Sequence, residues 1–225
     1  MCKSVFIISN YKGKGLSKKV LLIPFGVRVY NNKTNFSCSP FGVRGKYFIM
    51  LLGIIGAMPE EMNKIISAIS NKEIIERGSR IYYRGELFGQ QVVAVFSRWG
   101  KVASATTVTN LILEFQVDRI VFTGVAGAIS PDLNVGDIAS GDLFISSSEM
   151  KNALLRNLPS VACAEMEGAA VAQVCDDYSV PLVVVRVISD SADEEAHTSA
   201  IGFVNQHAGD YSLSIIKEYI QLLQV

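Results

Sequence analysis

Histidine and cysteine are scarce in this 225-residue sequence: His197 and His207 are its two histidines, and Cys2, Cys38, Cys163 and Cys175 its four cysteines. No cysteine pair has CxxC spacing, so a zinc site is not indicated. Nothing marks the chain as secreted, and free thiols in a reducing cytoplasm are a simpler reading than two disulfides. No apolar run reaches the length needed to span a bilayer. Acidic residues are missing from residues 1–49, which hold nine of the 21 lysines and arginines. The remainder carries all 21 acidic residues against twelve basic ones, which gives no electrostatic reason to bind nucleic acid. The KGKG run at Lys12–Gly15 lacks the spacing and the Lys-Ser/Thr ending of a Walker loop.

Almost half of the residues are apolar, enough for a sizeable core. Residues 1–49 stand apart. They are basic, rich in Ser, Asn and Gly, and contain FGVR twice, at Phe25–Arg28 and Phe41–Arg44. They are expected to be a leader outside the fold. Organelle targeting is one reading of an acid-free basic leader; sequence translated upstream of Met50 is the simpler one. Residues 50–225 are expected to form one domain.

From Met50 strands and helices alternate. Leu51–Ile55 is an apolar strand ended by Gly56, and Pro59 fits the first position of a helix continuing over Glu60–Ser70. Ile81–Tyr83 and Val92–Phe96 read as strands joined by a turn near Gly89, and Lys101–Phe115 as a helix. Arg119–Thr123 is a strand running into a loop, Gly124–Gly127. Glu167–Tyr178 is a helix, with Glu165-Met166-Glu167 at its opening. Leu182–Ser189 is an almost wholly β-branched strand. Tyr211–Val225 closes the chain as a helix with Leu213, Ile216, Ile220 and Leu223 on one face. Continuous apolar strands alternating with helices predict a mostly parallel sheet covered on both faces.

Several polar residues sit where such folds place ligands, past the carboxyl ends of strands. Glu60 and Glu61 are neighbours in the first helical turn, about 100° apart. Glu60 has Lys64 four residues on, a solvated pairing. Glu61 has Ile65 and shares the apolar face, where burial raises a carboxyl pKa and suits a general base. Both also complement the helix dipole. Asp190 follows a core strand and suits either a general acid or a turn cap. Glu167 is in register with Ala170, Val171 and Val174, so it is partly buried and needs partners; two vicinal ribose hydroxyls would serve. Met166 is a soft wall or core. GVAG at Gly124–Gly127 lets a ligand approach the backbone, yet is not the GxGxxG of a dinucleotide site. Arg186 lies inside an apolar strand and is expected to meet a carboxylate or line a polar cleft; Glu61 is one candidate partner.

The segments GIIGAMPEE (Gly53–Glu61), TGVAGAI (Thr123–Ile129), VGDI (Val135–Ile138), SGDLFI (Ser140–Ile145), AEMEGAAVAQVC (Ala164–Cys175) and VVVRVISDSAD (Val183–Asp193) recur in this order in the 5′-methylthioadenosine/S-adenosylhomocysteine nucleosidases. Over most of Met50–Val225 the chain resembles that family, a branch of the nucleoside phosphorylase superfamily. The resemblance implies a three-layer α/β/α sandwich and hydrolysis of the N-glycosidic bond to release adenine. It implies that Glu61 activates water and Asp190 protonates adenine. Glu167 would bind the ribose hydroxyls, with Met166 packed on the sugar and Ala126 and Gly127 beside it. Phe144 would stack on the base and Ile145 offer it backbone hydrogen bonds. Arg186 would help hold the water, and Ser189 would steady the Asp190 loop. No metal or organic cofactor is implied. A small-molecule nucleoside, a cytoplasmic location and a homodimer are.

One departure stands out. The family separates VGDI from SGD by several sheet and helix elements that carry part of the dimer interface and of the 5′-alkylthio pocket. Here Ile138 is followed by Ala139 and then SGDLFI. The sheet is therefore expected to be incomplete. Two alternatives stay open: a phosphorylase on the same fold, and a non-catalytic nucleoside-binding or storage protein.

Overall fold

The structure, a computed structural model, describes residues 5–9 (backbone only), 50–130 and 137–224. The KGKG run, both FGVR segments, Cys2, Cys38, Val135 and Gly136 lie outside the described residues. The described elements are β1 (Val5–Ser9), β2 (Leu51–Gly56), α1 (Pro59–Ala68), β3 (Ser70–Arg77), β4 (Arg80–Leu87), β5 (Gln90–Phe96), α2 (Lys101–Leu113) and β6 (Arg119–Ala128). They continue with β7 (Asp137–Ser140), α3 (Ser148–Asn157), β8 (Val161–Glu165), α4 (Gly168–Asp177), β9 (Leu182–Asp190), α5 (Ala196–Phe203), a π-helical turn (Val204–Ala208) and α6 (Gly209–Leu223).

The central sheet runs β1-β9-β6-β2-β5-β4-β3 and is not closed. Strands β1, β9, β6, β2 and β5 are parallel; β4 and β3 continue the sheet antiparallel. Alternation along the strands divides the core into two layers. On one face Leu52, Ile54, Val121, Val183 and Val185 pack under Met62 and Ile65 of α1 and Ile216 and Ile220 of α6. On the other face Ile55, Val95, Phe122 and Val184 pack under Val108 and Leu111 of α2 and Val171 and Cys175 of α4. The result is a three-layer α/β/α sandwich.

Four details depart from the sequence reading. The first helix ends at Ala68, and the chain turns into β3, a charged, mostly exposed outer strand. Its run of Ser, Asn, Lys and Glu carries no alternation from which a strand would be read. Gly124–Gly127 is strand, not loop, because β9 pairs with β6 along this length. A short strand, β8, precedes α4, so Glu165 ends a strand while Glu167 is the N-cap of the helix. Lastly, Val5–Ser9 pairs in parallel with Val183–Val187, which brings five residues of the basic segment alongside β9.

The layer that carries α1 rests on its contact with α6. Ile216 is fully buried there. Ile216→Ala should therefore cost about 2–5 kcal/mol through lost burial and an unfilled cavity, read as a lowered denaturant midpoint at unchanged slope. A loss below 1 kcal/mol would show that this layer repacks freely.

Candidate active site

The site begins where two strands part. β2 pairs with β6 only as far as Ile55 opposite Phe122. Beyond that gap β8 takes up β6 at Gly127 and Ala128. Glu61, in the first turn of α1, reaches into the gap. Its Oε2 accepts hydrogen bonds from the N–H groups of Ala57 and Met58, both at 2.9 Å, and its Oε1 accepts from Val125 N–H at 2.9 Å. The side chain is 2% exposed. A Cβ at Gly124 would stand 2.9 Å from Glu61 Oε1, so the glycine makes room for the carboxylate. Glu60 beside it is exposed, and its expected partner Lys64 pairs with Asp210 at 3.2 Å instead.

Asp190 stands at the end of β9, in register with Gly127. Ser189 Oγ donates to its Oδ2 at 2.8 Å, and Ala192 N–H donates to its Oδ1 at 2.9 Å. Asp190 thus caps its own turn, in which Ala192 holds a left-handed φ of 50°. For a residue with a side chain that conformation carries strain. A Cβ on Gly127 would lie 2.8 Å from Asp190 Oδ1. Each carboxylate therefore sits against a bare glycine of the same strand, the two glycines lying three residues, or about 10 Å of backbone, apart at 3.3 Å per residue.

Arg186 of β9 lies opposite Gly124, level with Glu61. Its partner corrects the sequence reading. The guanidinium is 1% exposed and donates through Nη2 to Glu165 Oε2 at 2.7 Å. Its Nη1 donates to the carbonyls of Phe122 and Val185, and the group stacks 4.1 Å from the Phe122 ring centroid. Glu61 feels Arg186 through its field, while Glu165 forms the ion pair. Glu165 also accepts from the N–H groups of Glu167 and Gly168 and from Ser140 Oγ. The sequence reading misses Glu165 because it treats Glu165 and Glu167 as one helical opening. The available signal was the buried arginine, which needs one of the nearby acids.

Glu167 is buried at the α4 N-cap, where its Oε1 accepts from Gly100 N–H at 2.7 Å. Gly100 has φ 91°, which glycine alone adopts without strain. Gly127, Leu143, Phe144, Ile145, Ala164, Glu165 and Met166 line one shallow recess. Within it Phe144 is partly exposed and edge-on to His197 at 6.2 Å, and Ile145 anchors the loop on Ile129, Val161 and Ala192. Ser189 Oγ also lies 3.5 Å from the Ala126 carbonyl. The residues picked from sequence thus gather at one end of the sheet.

Burial sets the proton affinities. It pushes Glu61 from the usual carboxylate range to about 7, against the opposing field of Arg186 and three N–H bonds. Burial likewise raises Asp190, against Ser189 and Ala192, and raises Glu167, against Gly100. Burial pulls Glu165 the same way, but the charge and hydrogen bond of Arg186, with Ser140 and the Glu167 N–H, together outweigh it and hold Glu165 low.

The site is thus a cluster of buried acids past the strand ends of a mostly parallel sheet in a three-layer sandwich. The sequence profile of the Phosphorylase superfamily matches residues 51–139 and 138–221, and the chain belongs to that family. The two matched stretches meet at Ile138–Ala139, where the intervening elements are missing. An aminodeoxyfutalosine nucleosidase of Helicobacter pylori is 30% identical over 217 residues, covering 71% of this chain and 94% of that protein. A crystal structure of H. pylori 5′-methylthioadenosine/S-adenosylhomocysteine nucleosidase with a bound pyrrolidine inhibitor superposes with a TM-score of 0.71 at 29% identity. It covers 78% of this chain and 99% of that one. The Streptococcus pneumoniae nucleosidase with a transition-state inhibitor superposes with a TM-score of 0.69 at 27% identity, over 75% and 99% of the two chains. These relatives are N-glycosyl hydrolases that act on or bind small nucleosides.

The raised Glu61 has a measurable consequence. In the folded chain it holds its proton up to about pH 7, whereas unfolded it releases it near the ordinary glutamate value. Between those limits the folded state binds more protons, so stability falls as pH rises. The loss from this group is roughly 3 kcal/mol, complete above pH 7. Glu61→Gln lowers the baseline but should flatten this slope between about pH 4.5 and 7, measured by urea denaturation across pH. Equal slopes in both proteins would place the titrating proton elsewhere.

Proposed function

We propose that the chain hydrolyses the N-glycosidic bond of 5′-methylthioadenosine and S-adenosylhomocysteine, releasing adenine. The observation that carries this reading is the pair of buried carboxyl groups, Glu61 and Asp190, over Gly124 and Gly127 of one strand. Cleaving an N-glycoside passes through an oxocarbenium-like sugar, with an acid for the leaving group and a base for water. Burial fits Glu61 to take a proton from water near neutral pH. It also raises the affinity of Asp190 for the proton that it delivers to the departing adenine. Arg186 Nε, buried and without a hydrogen-bond partner among the described residues, is a free donor for that water. Glu167 accepts the ribose hydroxyls, with Met166 against the sugar. Phe144, partly exposed beside the recess, offers a face for the base, and Ile145 its backbone.

An apolar cluster adjoins the base. Met58 and Val125, whose N–H groups both hold Glu61, pack with Val187 and Phe203. Such a wall suits a thioether substituent on the sugar. The second reading, a futalosine-type substrate, rests on the name of the H. pylori relative. It keeps the same acid and base and differs in the group beyond the sugar.

The test is product release from purified full-length chain in phosphate-free buffer. Free thio-sugar and adenine are expected, which separates hydrolysis from phosphorolysis. The acid limb of kcat/KM should lie near pH 7, since activity needs ionised Glu61 and is lost as pH falls through that value. Glu61→Gln should lower turnover by roughly 10²–10⁴-fold while retaining nucleoside binding. Asp190→Asn should spare substrates whose leaving base needs no proton. Binding without turnover in the unmodified chain would instead identify a nucleoside-binding protein.

A further inference from the structure

Glu165 has no part in the reaction proposed above, yet it is the most heavily engaged acid of the site. We propose that Glu165 is a positioning residue: it holds the Arg186 guanidinium off Glu61, so that the cation lies beside the base without pairing with it. This inference rests on the hydrolase reading and deepens it.

The geometry shows two acids within reach of one cation. A point built on Gly124 lies 2.9 Å from Glu61 Oε1 and 3.5 Å from Arg186 Nη1. Guanidinium and base therefore meet over the same bare backbone position. Even so, Arg186 directs Nη2 to Glu165 at 2.7 Å and Nη1 to two carbonyls. The hydrogen bonds of Glu61 come from backbone N–H groups of Ala57, Met58 and Val125. The Phe122 ring fixes the plane of the guanidinium from below.

Glu165 is itself fixed from three sides. Ser140 of β7 donates to it through Oγ, and the N–H groups of Glu167 and Gly168 close the turn into α4 around it. Ser140 is in turn held by Ala169 N–H at 2.9 Å. A Cβ on Gly168 would fall 2.8 Å from Glu165 Oε1, so this turn, too, is shaped around the carboxylate.

The charged and titratable groups facing Arg186 are Glu165 and Cys163 from β8, Glu61 from α1 and Glu167 from the α4 N-cap. Cys163 is pushed up to about 12 by burial and stays neutral. Of the acids, Glu165 alone is held below its ordinary value and is the fixed counter-ion. Without it the guanidinium turns to Glu61, which shares the space over Gly124 with it. A base bound to a cation has less affinity for a proton and takes one from water less readily.

The experiment follows Glu61 directly. Carbon-13 NMR of side-chain carboxyls in the full chain, with Glu61 assigned by its loss in Glu61→Gln, gives its titration midpoint without substrate. In Glu165→Gln the midpoint should fall by about 1–3 pH units, the usual effect of a cation at contact distance. The acid limb of kcat/KM should move down with it while the maximal rate drops. Glu165→Asp keeps the charge but shortens the arm, and should give a smaller downward shift; it stands in if Glu165→Gln does not fold. A Glu61 midpoint equal to the unmodified chain's in every folded variant overturns the proposal, whatever the activity. A uniform loss of rate at all pH values with an unmoved limb does so as well. If the unmodified chain proves inactive but the midpoint shifts, the hydrolase reading fails and the assignment of Glu165 stands.

Discussion

Everything at this site depends on how the molecule fills the gap left when β2 parts from β6. Strand pairing would have satisfied the N–H groups of Ala57, Met58 and Val125; past the end of β2 nothing in the sheet can. A buried N–H without an acceptor costs about 1–3 kcal/mol. The Glu61 carboxylate supplies acceptors for all three. The fold thus needs an acceptor at this point, and under the proposed reaction the one present also serves as the base. Structural and chemical demands fall on the same atoms, which is why the residue is buried rather than displayed.

The same economy governs the shortened middle of the chain. Ile138 runs directly into Ala139, yet β7 pairs with β8 on both sides of that junction, Ile138 with Cys163 and Ser140 with Glu165. The join therefore falls inside a strand and keeps Ser140 next to Glu165. Contacts that organise the polar end of the sheet survive where the elements between them do not. Leu143, just past the junction, is exposed at 69%.

The framework was legible because its signals were local. Pro59 opening α1, the β-branched run of β9 and the stripe through Ile216 and Ile220 each report on their own segment. The missed pieces needed information from elsewhere in the chain. Gly124–Gly127 reads as a loop until β9 is laid alongside it; then its missing side chains become the space for two carboxylates. Strand β3 is an outer strand whose charges discourage further pairing, so burial never imposed a pattern on it. Glu61, Glu167 and Asp190 could be picked by position and by family resemblance. Glu165 could not, because it is distinguished from Glu167 by a strand-to-helix switch lying between them. The need for an acid was nevertheless visible in Arg186, a charge that no apolar strand carries unpaired.

Counting buried charge at this end of the sheet gives a final constraint. Glu61, Glu165 and Glu167 face Arg186, the one buried guanidinium among the described residues, and Asp190 stands buried at the same end of the sheet. One cation stabilises one anion fully, and Glu165 holds that place. The other three are driven toward their neutral forms by desolvation, and positive charge beside any of them favours its ionised form. An oxocarbenium-like sugar is such a charge, and it exists only at the transition state. The donors and dipoles here were oriented in advance by folding, so stabilising that charge requires little rearrangement when it forms. Under the proposed reaction, the apparent excess of acids is what makes the empty site costly in ionised form and complementary to a cation that neither substrate nor product carries.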